Sequence, residues 1–151
     1  MALGTRKLNT FLMLKLPSAW LCGVRIKEIS SDACRVGVRH RWINQNPFNS
    51  MYFAVQAMAA ELSTGALVMN RIQESNRKIS MLVQKNNASF TKKATGKISF
   101  ECKDGNLIED AIKESLETGE GQTFWMKSVG RNKEGVVVST FNFEWTVKVK
   151  N

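Results

Sequence analysis

The sequence predicts an α+β fold in which an antiparallel sheet wraps around one long central helix. Three observations carry that prediction. The stretch NPFNSMYFAVQAMAAELSTGALVM, Asn46 to Met69, is apolar at helical spacing. The segments flanking it alternate apolar and polar residues with a period of two. Strands and helices do not alternate one for one, which argues against a doubly wound parallel sheet. A helix this hydrophobic buries its sides only if the sheet curls around it.

Taking the elements in order, Leu8 to Leu16 reads as a short amphipathic helix closing the domain. Its early basic pair and apolar run suggest an export signal. However, Lys15 and Pro17 interrupt the run and no A-x-A cleavage site follows. VRIKEIS is the first strand, with Val24, Ile26 and Glu28 on one face and Arg25, Lys27 and Ile29 on the other. Ser31 and Asp32 make a turn into ACRVGVRH, so the pair is a hairpin. Asn44 to Asn49 is polar, is broken by Pro47, and leads into the long helix, with Asn49 or Ser50 as its expected N-cap.

Within that helix Met51, Val55, Met58, Leu62 and Met69 form one apolar stripe. Ser50, Ala54, Ala57, Glu61 and Thr64 form a second stripe, small everywhere except at Glu61, where another segment can approach closely. KISMLVQKNNASF and TGKISFECKD follow as strands, and GNLIEDAIKESLETG as a short helix with glycine at both ends. GQTFWMKSVGRN and GVVVSTFNFEWTVKVK close the chain as two long strands, the second alternating at Phe141, Phe143, Trp145, Val147 and Val149.

A chain of 151 residues suits one domain, 1–151, with residues 1–22 as a helical segment packed on the sheet. Hydrophobic residues are 43% and charged ones 23%, an ordinary globular composition. Cys22, Cys34 and Cys102 are too few and too scattered for a disulfide framework, so reduced thiols and a cytoplasmic location are expected. His40 is the one histidine, and no ligand cluster surrounds it, so no metal is expected. No run approaches the roughly 18 apolar residues of a membrane span.

The net charge is +9 and it is unevenly spread. Residues 1–41 hold eight Lys and Arg against two acids, and residues 71–103 repeat that ratio. Residues 104–120 reverse it, with six acids and one lysine. Such a bias predicts an anionic partner: nucleic acid, an acidic protein, a membrane surface or a phosphorylated cofactor.

Glu61 is the residue that demands an explanation, because it is the one carboxylate in the most apolar helix. It either pairs with an arginine or a neighbouring subunit as a structural group, or it does chemistry. The order of elements and the local sequence resemble those of the hotdog fold and its acyl-CoA thioesterases over nearly the full chain. The nearest likeness is to the thioesterase-like hotdog family that also occurs fused to some bacterial acetyltransferases. Its motif, N-x-x-G-[ST]-x-[FY]-x-G-x-x-x-x-x-A-E, aligns without a gap on NPFNSMYFAVQAMAAE. The matching positions are Asn46, Ser50, Tyr52 and the pair Ala60 and Glu61. ASFTKKATGKISFEC resembles the family's strand, basic turn and strand. In the similar phenylacetyl-CoA-type thioesterases the helix carries His-Gly-Gly, with an acid seven positions on. That acid aligns with Glu61, while Tyr52, Phe53 and Ala54 occupy the His-Gly-Gly slot.

The resemblance implies a thioester hydrolase without metal or separate cofactor, coenzyme A being part of the substrate. Glu61 would attack the carbonyl or activate water, and an amide at the helix N-terminus would polarise that carbonyl. Asn46 would hold the water or the loop, and Ser80 would offer a second hydroxyl. Ser50, Tyr52, Phe53 and Ala54 would contact the acyl thioester, while Arg39 and Arg41 would meet coenzyme A phosphates. It also implies a homodimer or a dimer of dimers, paired through ISMLVQKNN, with each site between subunits. The missing His-Gly-Gly leaves a non-catalytic acyl-, lipid- or coenzyme A-binding protein as the alternative. A nucleic-acid role has only the net charge behind it, since no stacking motif accompanies the basic residues.

Overall fold

The computed structural model describes residues 3–151, so the first two residues of the N-terminal segment lie outside the description. Helices α1 (Thr5–Lys15) and α2 (Pro17–Leu21) lead into strands β1 (Arg25–Ile29) and β2 (Cys34–Arg39). The long helix α3 (Phe53–Ser75) follows, then β3 (Ile79–Phe90) and β4 (Lys97–Cys102). Helix α4 (Asn106–Thr118) precedes β5 (Gln122–Arg131) and β6 (Val137–Val149). The strands form one six-stranded sheet in the order β1-β2-β4-β5-β6-β3, every neighbour antiparallel. This is the α+β architecture expected, a hotdog sheet with α3 packed into it.

One face of the sheet supplies the core. Val36, Val38, Ile98, Phe100, Phe141, Phe143, Trp145 and Val147 are all buried, as are Val55, Ala59, Leu62 and Ala66 of α3. The alternation in β6 runs as the sequence predicts from Phe141 to Val147. Gly130 sits where a Cβ would come within 2.5 Å of the Phe100 ring, so β5 passes close over that ring only because the residue is glycine. Gln56, Ser63 and Thr64, which α3 carries into the core, are all hydrogen-bonded. Ser63 shares a 2.7 Å hydrogen bond with Ser128, and Ser139 donates to Gln56 Oε1 at 2.8 Å.

Two local readings need correction. The face assignment in β1 changes midway, because a bulge between Ile26 and Glu28 shifts the register against β2. Ile26 faces Val36 in the core, Ile29 pairs with Cys34, and Glu28 turns outward to the guanidinium of Arg35. The central helix also starts later than Asn49 or Ser50. Its N-cap is Tyr52, which makes no side-chain cap, and the helix runs on to Ser75, where Asn76 closes it in a left-handed turn.

Asn46 explains the late start. Its Oδ1 accepts from the amides of Phe48 (2.9 Å) and Ser50 (3.2 Å), and its Nδ2 donates to Ser50 Oγ at 3.0 Å. The short oxygen-bearing side chains that could cap a helix are therefore spent inside the loop. Met51 then donates its amide to the Ala94 carbonyl and is buried in the loop, two residues short of the helix.

The N-terminal helices pack beside β1. Asn9 of α1 donates Nδ2 to the Ile26 carbonyl and accepts the Ile26 amide on Oδ1, both at 2.9 Å, which occupies the outer edge of β1. At the opposite border of the sheet, β3 has a neighbour on one side only. Cys34 and Cys102 face each other across β2 and β4 as free thiols, and burial pushes each up to about 12. Among the described residues no helix is long and apolar enough to cross a membrane.

Candidate active site

The N-terminus of α3 is open. The amides of Phe53 and Ala54 have no acceptor among the described residues, whereas those of Val55 and Gln56 both reach the Tyr52 carbonyl. A 23-residue helix concentrates partial positive charge at such an end. Around it lies a cleft of about 500 Å³, walled by Phe48, Tyr52, Phe53 and Phe90 and flanked by Lys92 and Lys93. Each of the four aromatic side chains is exposed. They continue inward edge to face, from Tyr52 to Phe53 (5.1 Å between centroids), to Phe90 (6.3 Å) and to buried Phe141 (5.6 Å). The cleft is therefore a strip of ring surface leading from solvent to the core.

Asn46 and Ser50 lie on the cleft wall, but both are engaged with each other. They hold the loop in the shape that exposes the helix end. Within that loop Asn49 stands where the motif has glycine, and it takes the left-handed φ of 58° that glycine favours. Lys93 donates Nζ to the Phe48 carbonyl at 3.0 Å and pins the far lip.

Glu61 projects from α3 two turns further on. It is half-buried, and its carboxylate makes no hydrogen bond or ion pair among the described residues. Burial alone raises its pKa to about 7. Gly65, the next residue along the same helix face, leaves the space this carboxylate uses. A Cβ there would lie 3.2 Å from Glu61 Oε1 and 3.2 Å from Trp145 Cζ2. Trp145 is itself fixed, its Nε1 donating to Thr64 Oγ1 at 2.9 Å. The carboxylate thus lies over Gly65, on a patch of helix that Trp145 also borders, and stays partly exposed; a group in that state near neutral pH suits proton transfer.

The remaining sequence-predicted residues divide. Ala54 is half-buried beside Phe53 at the helix end. Ser80 pairs with Lys148 on the outer face of the sheet and donates to the Lys148 carbonyl at 3.2 Å. Its neighbours Met81 and Val83 take the inner face opposite Val147 and Trp145, so strand alternation turns Ser80 away from Glu61. Arg39 and Arg41 do not join the cleft either; they line a basic trough on the outer face. Sequence reasoning missed Phe90 and Gln56 as cleft residues. A glutamine one turn into an apolar helix was the available signal for the second. Among the described residues, no group of three or more His, Cys, Asp or Glu side chains is placed to hold a metal ion.

A helix held in an antiparallel sheet, with a half-buried carboxylate along it and free amides at its start, defines a hotdog-fold protein. The chain belongs to the family described as a domain of unknown function, DUF4442, whose model matches residues 4–147. Its fold is similar to that of PA5026 from Pseudomonas aeruginosa, a protein of unknown function described as a probable thioesterase. The TM-score is 0.85 at 22% identity over 99% of each chain. Thioesterase HI1161 from Haemophilus influenzae superposes with a TM-score of 0.76 at 15% identity, over 99% of this chain and 93% of that one. Thioesterase PA1618 from Pseudomonas aeruginosa gives 0.78 at 11% identity, over 99% and 97%. No curated protein matches the chain.

Proposed function

We propose that this protein hydrolyses an acyl thioester, coenzyme A-linked, as a homodimer or a dimer of dimers. The observation that carries the reading is the unpaired, half-buried Glu61, with a pKa near 7, on the helix that opens with free amides. Glu61 takes a proton from water as the water oxygen forms a bond to the acyl carbon. A helix amide holds the developing oxyanion, the C–S bond then breaks, and the thiol leaves with a proton.

The two groups do not act on one carbonyl within a single chain. Glu61 is eight residues after Phe53, and at 1.5 Å per residue that is about 12 Å along the helix, whereas each group must come within about 3 Å of the reacting atoms. A second copy resolves this. The β1 edge is occupied by Asn9, while β3 is open along its length and Lys85 is its one charged residue. Pairing β3 with its own copy across a two-fold axis sets the two α3 helices side by side and antiparallel. The N-terminus of one then approaches Glu61 of the other, and the small side chains of Ala54 and Ala57 permit the contact. The acyl group lies along the aromatic strip, with Ser50, Tyr52, Phe53 and Ala54 around it. Lys92 and Lys93 stand at the same mouth, where coenzyme A phosphates would enter.

The exposed aromatic walls also suit a non-catalytic acyl-binding protein, since Tyr52 and Phe53 occupy the His-Gly-Gly slot. Thiol release from acetyl-, decanoyl- and phenylacetyl-coenzyme A, measured alongside light scattering, separates the readings. Hydrolysis of at least one by a species of twice 17.0 kDa or more is expected. Saturable binding with no turnover on any of them would leave the binding protein. A monomer would remove the shared site.

A further inference from the structure

We propose that the outer face of the sheet carries a second site, a basic trough that binds a small molecule bearing two or more phosphate groups. The trough has a volume of about 490 Å³, within the range of small-molecule sites. Its floor follows from strand register. Arg25 of β1 pairs with Gly37 of β2, Gly37 with Ser99 of β4, and Ser99 with Arg131 of β5. One cross-strand row therefore reads arginine, glycine, serine, arginine; the Lys27 stem crosses Gly37, its Cε 2.9 Å from where a Cβ would stand, so Ser99 is the low point of the floor. One row along, Arg39 faces Lys97. Eight of the lining side chains are Lys or Arg and none is a carboxylate.

Those charges are largely uncompensated. Of the eight, Arg35 alone has a carboxylate partner among the described residues. Arg25 is held in place by donating to the carbonyls of Trp20 (2.8 Å) and Val24 (2.7 Å), with its guanidinium 3.3 Å over the Trp20 ring. Burial and the charge of Arg41 both lower its pKa, as expected where cations crowd without a counterion. Holding so many like charges together is unfavourable until an anion neutralises them. Planar guanidinium forks suit phosphate oxygens. The concave, bounded shape favours a compact polyphosphate over a nucleic acid, which needs an open track with stacking rings. Arg25 already covers a face of Trp20, the ring beside it.

This site is independent of the thioesterase reading, because the sheet lies between it and Glu61. Val36, Val38, Ile98 and Phe100 point from the same strands into the core around α3. Two sources share the chemistry, a free nucleotide polyphosphate and the phosphorylated end of coenzyme A.

Calorimetry with inorganic tripolyphosphate tests it. Saturable binding is expected, unchanged in Glu61→Gln and weakened about tenfold or more in Arg39→Gln/Arg131→Gln. Ser99→Leu, which keeps every charge but fills the floor, is expected to weaken it as much. Displacement by ATP assigns the free nucleotide, and displacement by coenzyme A assigns the coenzyme; either supports the site. No saturable binding would overturn the proposal. So would affinity indifferent to Ser99→Leu in a folded variant, or random-sequence DNA that binds more tightly than tripolyphosphate, since both mean diffuse surface charge.

Discussion

Glu61→Gln is expected to lower thioester hydrolysis by about 100-fold or more, the usual loss when a general base is removed. Glutamine keeps the shape over Gly65 and cannot take the proton. The wild-type rate should rise with pH through about 7, because the base works only when ionised. Stability moves the other way. Burial raises the folded-state pKa to about 7 from the ordinary carboxylate value, so the folded chain binds the extra proton between those two values. Stability is therefore full below the ordinary value, falls as pH rises through that window, and stays reduced above it. The loss is roughly 3 kcal/mol, at about 1.4 kcal/mol per tenfold change in proton affinity. Glu61→Gln should thus be inactive and more stable at pH 8, with no gain near pH 4. Equal activity of the two proteins across the pH range would place the base elsewhere.

Phe53→Pro is expected to cost about 100-fold as well, through the loss of one oxyanion donor. Proline lacks the amide hydrogen, and the first position of a helix is the place that tolerates it. Tyr52, at φ −59° and ψ 135°, already has the extended conformation that a residue before proline needs. Circular dichroism should therefore be unchanged. Phe53→Ala separates the ring from the amide, since it removes aromatic wall and keeps the donor. It should raise KM more than it lowers kcat. If the proline and alanine variants have the same kcat, the Phe53 amide is no part of the chemistry.

The long helix and Glu61 were legible because both rest on local periodicity: an apolar run at helical spacing with one carboxylate in it. The strands were legible for the same reason. What escaped depends on which hydrogen bonds and strand pairings form, and these leave no mark in the periodicity. The start of α3 is displaced because Asn46 draws the Phe48 amide and Ser50 into its own turn, and nothing in the apolar pattern marks that competition. The bulge after Ile26 reverses the faces of Glu28 and Ile29, and it follows from pairing with β2. Ser80 was placed by its position at a strand start, but only the register with Lys148 shows which face it takes. Arg39 was visible as a charge beside His40 and Arg41. Its company in the trough comes from four strands separated by α3 and α4.

The shared site is the central claim, and mixing two inactive variants tests it most directly. Glu61→Gln and Phe53→Pro homodimers each lack one half of every site. Unfolded together and refolded at equal amounts, about half of the dimers should be mixed, each with one intact site made from Glu61 of one chain and the amide of the other. Recovery to about a quarter of the wild-type rate, from two inactive proteins, is the predicted result. If subunit exchange is verified by mass and the mixture stays as inactive as its parents, both groups act within one chain, and the account of this site is contradicted.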